Sequence, residues 1–176
     1  MSLDISKWNE IAAQAFTAHG SRPMPLVRSG PCAAAALRGS EPKQLFPSAR
    51  SPQGVLAGLL LYLNCWDEAH DIAQNLETPE GSYWHALVHR MEPDAWNSQY
   101  WFRRVGRHPI FQDLRNRAAS ILAEHPEANF HLPEVWDSAI FGKFCDRAIE
   151  RSGSADESLA TKIHNVEWQL LIDWCN

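Results

Sequence analysis

The chain is punctuated so that only helices fit between its breaks. Apolar residues recur at three- and four-residue spacing and almost nowhere alternate with polar ones. "DISKWNEIAAQAF" places Ile5, Trp8, Ile11, Ala12, Ala15 and Phe16 on one stripe. "FQDLRNRAASILAEH" does the same with Phe111, Leu114, Ala118, Ile121 and Leu122. Further stripes run through "EVWDSAIFGKFCDRAIE" and "ESLATKIHNVEWQLLIDWC". Pro52, Pro79, Pro93, Pro109 and Pro133 each stand just before such a pattern, and Ser51 and Thr78 precede two of them as N-caps. A proline in the first turn costs no hydrogen bond, because the N–H it lacks has no acceptor inside the helix. The connections are short. The pattern therefore predicts an all-α fold of seven or eight short helices in antiparallel hairpins, TPR-like or an irregular bundle.

At 176 residues the chain is expected to form a single helical domain, 1–176, with a core of its own. One segment breaks the rhythm. Residues 19–54 hold six of the eleven prolines and five basic residues, Arg22, Arg28, Arg38, Lys43 and Arg50, against one acid, Glu41. Within it "CAAAALR" reads as one short helix. The rest reads as a long loop, either a solvated arm or a lid.

A net charge of −5 excludes the basic surplus of a general nucleic-acid binder. The longest apolar run, Val55 to Trp66, is too short to span a bilayer, so no membrane role is expected. Cys32, Cys65, Cys145 and Cys175 form no CxxC pair, and "MSLDISKWNE" has no secretory pattern. Four reduced thiols and a cytoplasmic location follow as expectations.

Eight tryptophans are many for this length, and seven of the eighteen aromatics crowd between Tyr83 and Phe111. Polar residues converging in an aromatic setting mark the default site. His85 and His89 lie four apart on one helix and so share a face, a spacing that fits one divalent metal between two imidazoles. Glu92 follows on roughly that face, and His70 and Glu68 come from the preceding helix, so these five are the candidate metal ligands. The HExxH arrangement of zinc proteases is absent, because Ala86 occupies the position of its general base. The bland reading keeps the histidines as buried polar structure, with each ring nitrogen bonded to a carboxylate or carbonyl.

"YWFRRVGRHP" adds a second candidate. Asn97, Trp101 and Arg104 stand on successive turns, with Arg103, Arg107 and His108 beside them and Arg90 on the helix before. An aromatic wall with guanidinium groups is suited to a carboxylate or phosphate. Acids nearly match these arginines in number, which favours internal ion pairs with Glu68, Glu80, Glu92 and Asp94 over an open anion pocket. Two functions remain open. One is a soluble binding or scaffold domain, taking a peptide or small anionic ligand against His85, His89, Arg90, Asn97, Trp101, Arg103, Arg104 and His108. The other is a metal-dependent hydrolytic enzyme with His85 and His89 as ligands.

Two resemblances accompany these readings. "LLLYLNCWDEAHDIAQNL", with Tyr62, the "NCWDEA" turn, Ala69, Ala73 and Leu76, resembles half of a tetratricopeptide-type hairpin and implies stacked helical pairs. The stretch "YWHALVHRMEPDAWNSQYWFRRVGRHPIF" resembles one found in uncharacterised bacterial and fungal proteins, in the frame YWHxxxHRxExD…NxxYWFRRVGxHPxF, and "EWQLLIDWC" is similar to their ends. That resemblance implies a family and no activity.

Overall fold

The computed structural model describes residues 3–20 and 22–176, and among these every regular element is helical. The order is α1 Glu10–His19, a 3-10 turn Ala35–Leu37, α2 Pro42–Leu45, α3 Pro52–Tyr62, α4 Trp66–Asn75, α5 Pro79–Met91, α6 Ala95–Val105, α7 Phe111–Ala123, α8 Ser138–Ile149 and α9 Ala155–Cys175. Nine α-helices among the described residues exceed the expected seven or eight by the single turn α2, started by Pro42. "CAAAALR" gives only the 3-10 turn.

Local chemistry explains the starts. Ser51 and Thr78 accept from the N–H groups of Gly54 and Gly81, with Pro52 and Pro79 at the first helical position. Asn9, Asp94, Asp137 and Ser154 cap α1, α6, α8 and α9 in the same way. Pro93, Pro109 and Pro133 fall in the connections instead, and Ile5, Trp8, Val135 and Trp136 lie outside the helices to which their spacing assigned them.

α5 is the central element. It packs on α4, α6 and α3, and every residue from Gly81 to Met91 is buried. α9 closes the core against α3, α7 and α8. Gly58 lets α3 approach: a Cβ there would meet the Trp84 ring at 2.7 Å, and its carbonyl accepts from Trp168 Nε1 at 2.8 Å. The core must also house a charge. Arg90 of α5 donates to Glu167 of α9 at 2.6 Å, and the Tyr83 hydroxyl donates to the other carboxylate oxygen at 2.8 Å. A buried ion is tolerated only when paired and hydrogen-bonded. This pair ties α5 to α9.

Segment 19–54 is not a solvated arm. It buries Met24, Leu26, Ala34, Leu37, Leu45, Phe46 and Ala49 in the common core. Asn165 of α9 bonds both the N–H and the carbonyl of Met24. Cys32 and Cys65 are joined in a disulfide. The expectation of four reduced thiols is therefore corrected: the free ones are Cys145 and Cys175, both buried. A bond between residues 33 apart leaves no local spacing signal. It arises because the segment folds back across the turn between α3 and α4. No helix among the described residues is long and apolar enough to cross a membrane.

Candidate metal centre

Three adjacent helices form a trough whose floor is one face of α5. Ser82, His85 and His89 succeed one another there at helical spacing. Trp66, His70 and Gln74 lie on successive turns of α4, and Asn97, Trp101 and Arg104 on successive turns of α6. The middle of the trough holds the histidines. His70, His85 and His89 each offer one ring nitrogen, and these atoms lie within 4.8 Å of one another. His70 Nε2 and His85 Nε2 are 2.9 Å apart.

Aromatic rings fix the cluster. His85 stacks on Trp101 at 4.0 Å and on His89 at 4.8 Å. His70 stacks on Trp66 at 5.3 Å. The Trp66 Nε1–H in turn donates to the Val88 carbonyl at 3.2 Å, which locks α4 to α5 beside His89. His89 Nδ1 lies 3.3 Å from Glu92 Oε2. That contact leaves His89 Nε2 for the cluster, and a carboxylate behind a ligating imidazole sets its tautomer and ring orientation. Glu92 is thus placed to orient His89 rather than to ligate.

The electrostatics favour the neutral form of two of the rings, His85 and His70. Burial, followed by the neighbouring His70 and His89, pushes His85 down to about 3. Burial and His89 also lower His70, against the raising influence of Asp71, Glu92 and Asp67. A metal needs neutral imidazoles, so little proton competition is left at His85 and His70 at neutral pH.

The donor set fits a small divalent ion. Only one proton can lie between His70 Nε2 and His85 Nε2, so at least one of the two is an unprotonated acceptor whose lone pair a metal would take in place of that proton. In a tetrahedral site with metal–nitrogen bonds of 2.0–2.1 Å, ligand nitrogens stand about 3.3 Å apart. The His70–His85 pair would open slightly from its present spacing, and His89 would close in. Three protein ligands with a further position free is the pattern of a catalytic zinc site, not a structural one.

The remaining candidates fall elsewhere. Glu68 pairs with Arg38 at 3.6 Å and takes no part in the cluster. Asn97 bonds Asp94 at the α6 cap. His108 is buried against Tyr83, Phe111 and Trp174. Burial pushes it down to about 4, opposed by Glu80 and aided by Arg50. Arg90 lies under the trough on Glu167.

The expected local ion pairs do not form. Glu80 pairs with Arg50, Glu92 contacts His89, and no carboxylate pairs with Arg103, Arg104 or Arg107 among the described residues. Arg103 lies over Tyr100 and Arg104 over Trp101, at 5.9 and 5.2 Å. Arg104 and Trp101 line a groove of about 610 Å³ with Ser82, Gln74, Glu77 and Thr78, at the end of the trough.

Sequence reasoning missed Trp66, Glu167 and the disulfide. Glu167 was findable: it shares the α9 stripe of Ile163, Leu170 and Trp174, and a carboxylate on an apolar stripe demands a buried cation. Comparison with family models, with curated proteins and with solved structures finds no match for this chain.

Proposed function

We propose that this chain is a metal-dependent hydrolytic enzyme whose His70, His85 and His89 hold one zinc-class divalent ion. The observation that carries this reading is the convergence of three imidazoles from two helices, within 4.8 Å, in a trough with bulky aromatic walls. Such an ion polarises a carbonyl or phosphoryl oxygen and lowers the pKa of a bound water. The chain's own residues supply the rest. Glu92 holds the His89 ring, Trp101 and Trp66 hold His85 and His70, and the indoles exclude water from one side of the site. Arg104, free of any carboxylate and one indole away from His85, is suited to the anionic end of a small substrate. Glu77 in the same groove limits how much negative charge that end can carry.

The same groove supports the second reading, a binding or scaffold domain for a small anionic ligand or peptide, because Arg104 lines it without a carboxylate partner. That reading has no need of the three-histidine convergence, which makes it the weaker of the two. Membership in the helical family suggested by the Tyr83–Phe111 stretch, and a tetratricopeptide-like stacking of α3 to α6, remain part of the proposal.

The test is metal binding by protein purified without a polyhistidine tag, measured by elemental analysis and by competition with a chromophoric chelator. One zinc per chain is expected. His70→Gln, at the most accessible ligand, is expected to weaken binding at least about 100-fold, while the helical spectrum is unchanged. No bound metal, or equal affinity in His70→Gln, would refute the reading.

A further inference from the structure

The start of α4, like those of α2 and α7, has no side-chain cap, and α4 alone of these carries a metal-cluster residue. Asn9, Ser51, Thr78, Asp94, Asp137 and Ser154 all cap their helices with a side-chain oxygen. The residue at the corresponding position of α4 is Cys65, which makes no capping bond. Its sulfur is committed to Cys32.

What replaces the cap is a strap formed by residues 28–38. Arg28 Cζ lies 4.7 Å over the Trp66 ring, Arg28 Nη2 lies 3.3 Å from Asp67, and Arg38 Nη2 lies 3.6 Å from Glu68. All three residues of the α4 first turn are therefore touched by the strap. Two backbone bonds seat it: Arg28 N–H donates to the Met91 carbonyl, and Ala33 N–H to the Leu63 carbonyl, each at 2.8 Å. The ion pairs are solvent-exposed, and such pairs contribute little by themselves. The covalent bond is the strong element.

The next link is Trp66. Its ring lies between Arg28 and His70, and its Nε1–H reaches the carbonyl of Val88, the residue before His89. Trp66 thus sets His70 against His85 and His89. An unbroken chain of contacts leads from Cys32 through the first turn of α4 to the three-histidine cluster.

We propose that the Cys32–Cys65 bond controls the metal affinity of the His70–His85–His89 centre, by clamping the first turn of α4 and with it Trp66 and His70. This rests on the metal reading above. The bond is built to be reduced from one side. Cys32 is exposed and Cys65 is fully buried. The thiolate of a dithiol reductant attacks Cys32 Sγ, forming a mixed disulfide, and Cys65 leaves as a thiolate that takes up a proton. The second thiol of the reductant then closes its own disulfide and releases Cys32. Two electrons and two protons pass from the dithiol to the cystine. With the strap free, Trp66 loses Arg28, the uncapped helix start frays, and His70 loses its fixed place. Loss of the groups that orient metal ligands typically weakens binding 10–100-fold.

The experiment compares zinc affinity by chelator competition in four samples. These are the oxidised protein, the same protein reduced with a dithiol and desalted without air, the reduced protein reoxidised, and Cys32→Ser. Thiol titration under denaturing conditions, without reductant, accompanies it and should find two thiols before reduction and four after. The expected result is a loss of about tenfold or more in the reduced and Cys32→Ser samples, with recovery on reoxidation. Cys32→Ser excludes the case in which freed Cys32 itself captures zinc, and reoxidation guards against a variant that simply folds poorly. Equal affinity in oxidised and reduced protein overturns this inference and leaves the metal centre standing, even if overall stability falls. Four thiols in the unreduced protein overturn it too. No zinc binding by the oxidised protein overturns the metal reading and this inference with it.

Discussion

Removing the carboxylate of Glu167 should destabilise this protein more than any single change on its surface. The side chains of Arg90 and Glu167 are 2% and 0% exposed, and their N–O distance is 2.6 Å. Beyond Glu167, Arg90 meets the Phe102 and Phe141 rings at 5.2 and 5.1 Å and the Cys145 thiol, none of which neutralises its charge, and the Tyr83 hydroxyl spends its proton on the same carboxylate. Glu167→Ala therefore strands a guanidinium and a hydroxyl together. Breaking one side of a buried pair costs about 3–5 kcal/mol, a large share of the roughly 5–15 kcal/mol that holds a domain folded. Glu167→Gln keeps the shape and an acceptor for Tyr83, so its cost should fall toward the lower end. Arg90→Met with Glu167→Leu removes the charge problem and should leave only the unmade Tyr83 bond, about 1–3 kcal/mol. Equilibrium guanidinium unfolding at pH 7 measures wild type, these three variants and the single changes Arg90→Met and Glu167→Leu. The double variant should be more stable than Glu167→Leu alone. A cost below about 1 kcal/mol for Glu167→Ala, or single-site effects that simply add, would refute the reasoning.

Two further predictions follow from the same core and trough. His164 is completely buried with neither ring nitrogen bonded, and burial, aided by the charge of Arg90, pushes it down to about 3. Its unfolded value near 6.5 is higher, so the stability it contributes is complete above about pH 6.5 and is lost as pH falls toward 3. His164→Leu should cost little at pH 7 and flatten the loss of stability between pH 6 and pH 4 in urea unfolding; an unchanged slope would contradict this. Arg104→Ala should lower zinc affinity far less than His70→Gln does and weaken binding of inorganic phosphate to the zinc-loaded protein about tenfold or more, read from Trp fluorescence. Equal phosphate affinity would remove Arg104 from the site.

How much of this was legible in the sequence differs from element to element. The capped starts at Ser51 and Thr78 and the stripes of α7 and α9 were readable, because they depend on neighbours three or four residues away. His85 and His89 were readable for the same reason, and His70 entered as a candidate because helices joined by so short a turn must pack. Glu68 was indistinguishable from His70 by spacing alone, and only the rotation of α4 turns it toward Arg38. The partners of Arg90 and Cys65 lie 77 and 33 residues away, beyond any local period. The arginines of α6 misled for a related reason: charge balance along the chain said nothing about which acids share their face, and Glu80 turns instead to Arg50 and Trp174.

The central claim is that three imidazoles surround one ion. X-ray absorption at the zinc edge, on untagged protein loaded with one equivalent of zinc, tests it most directly. The account predicts a first shell of four or five light atoms at about 2.0–2.1 Å, three of them imidazole nitrogens recognised by their outer-ring scattering, and no sulfur. In His70→Gln one imidazole should vanish from that shell. A shell containing sulfur at about 2.3 Å, or one with a single imidazole completed by water, would contradict it.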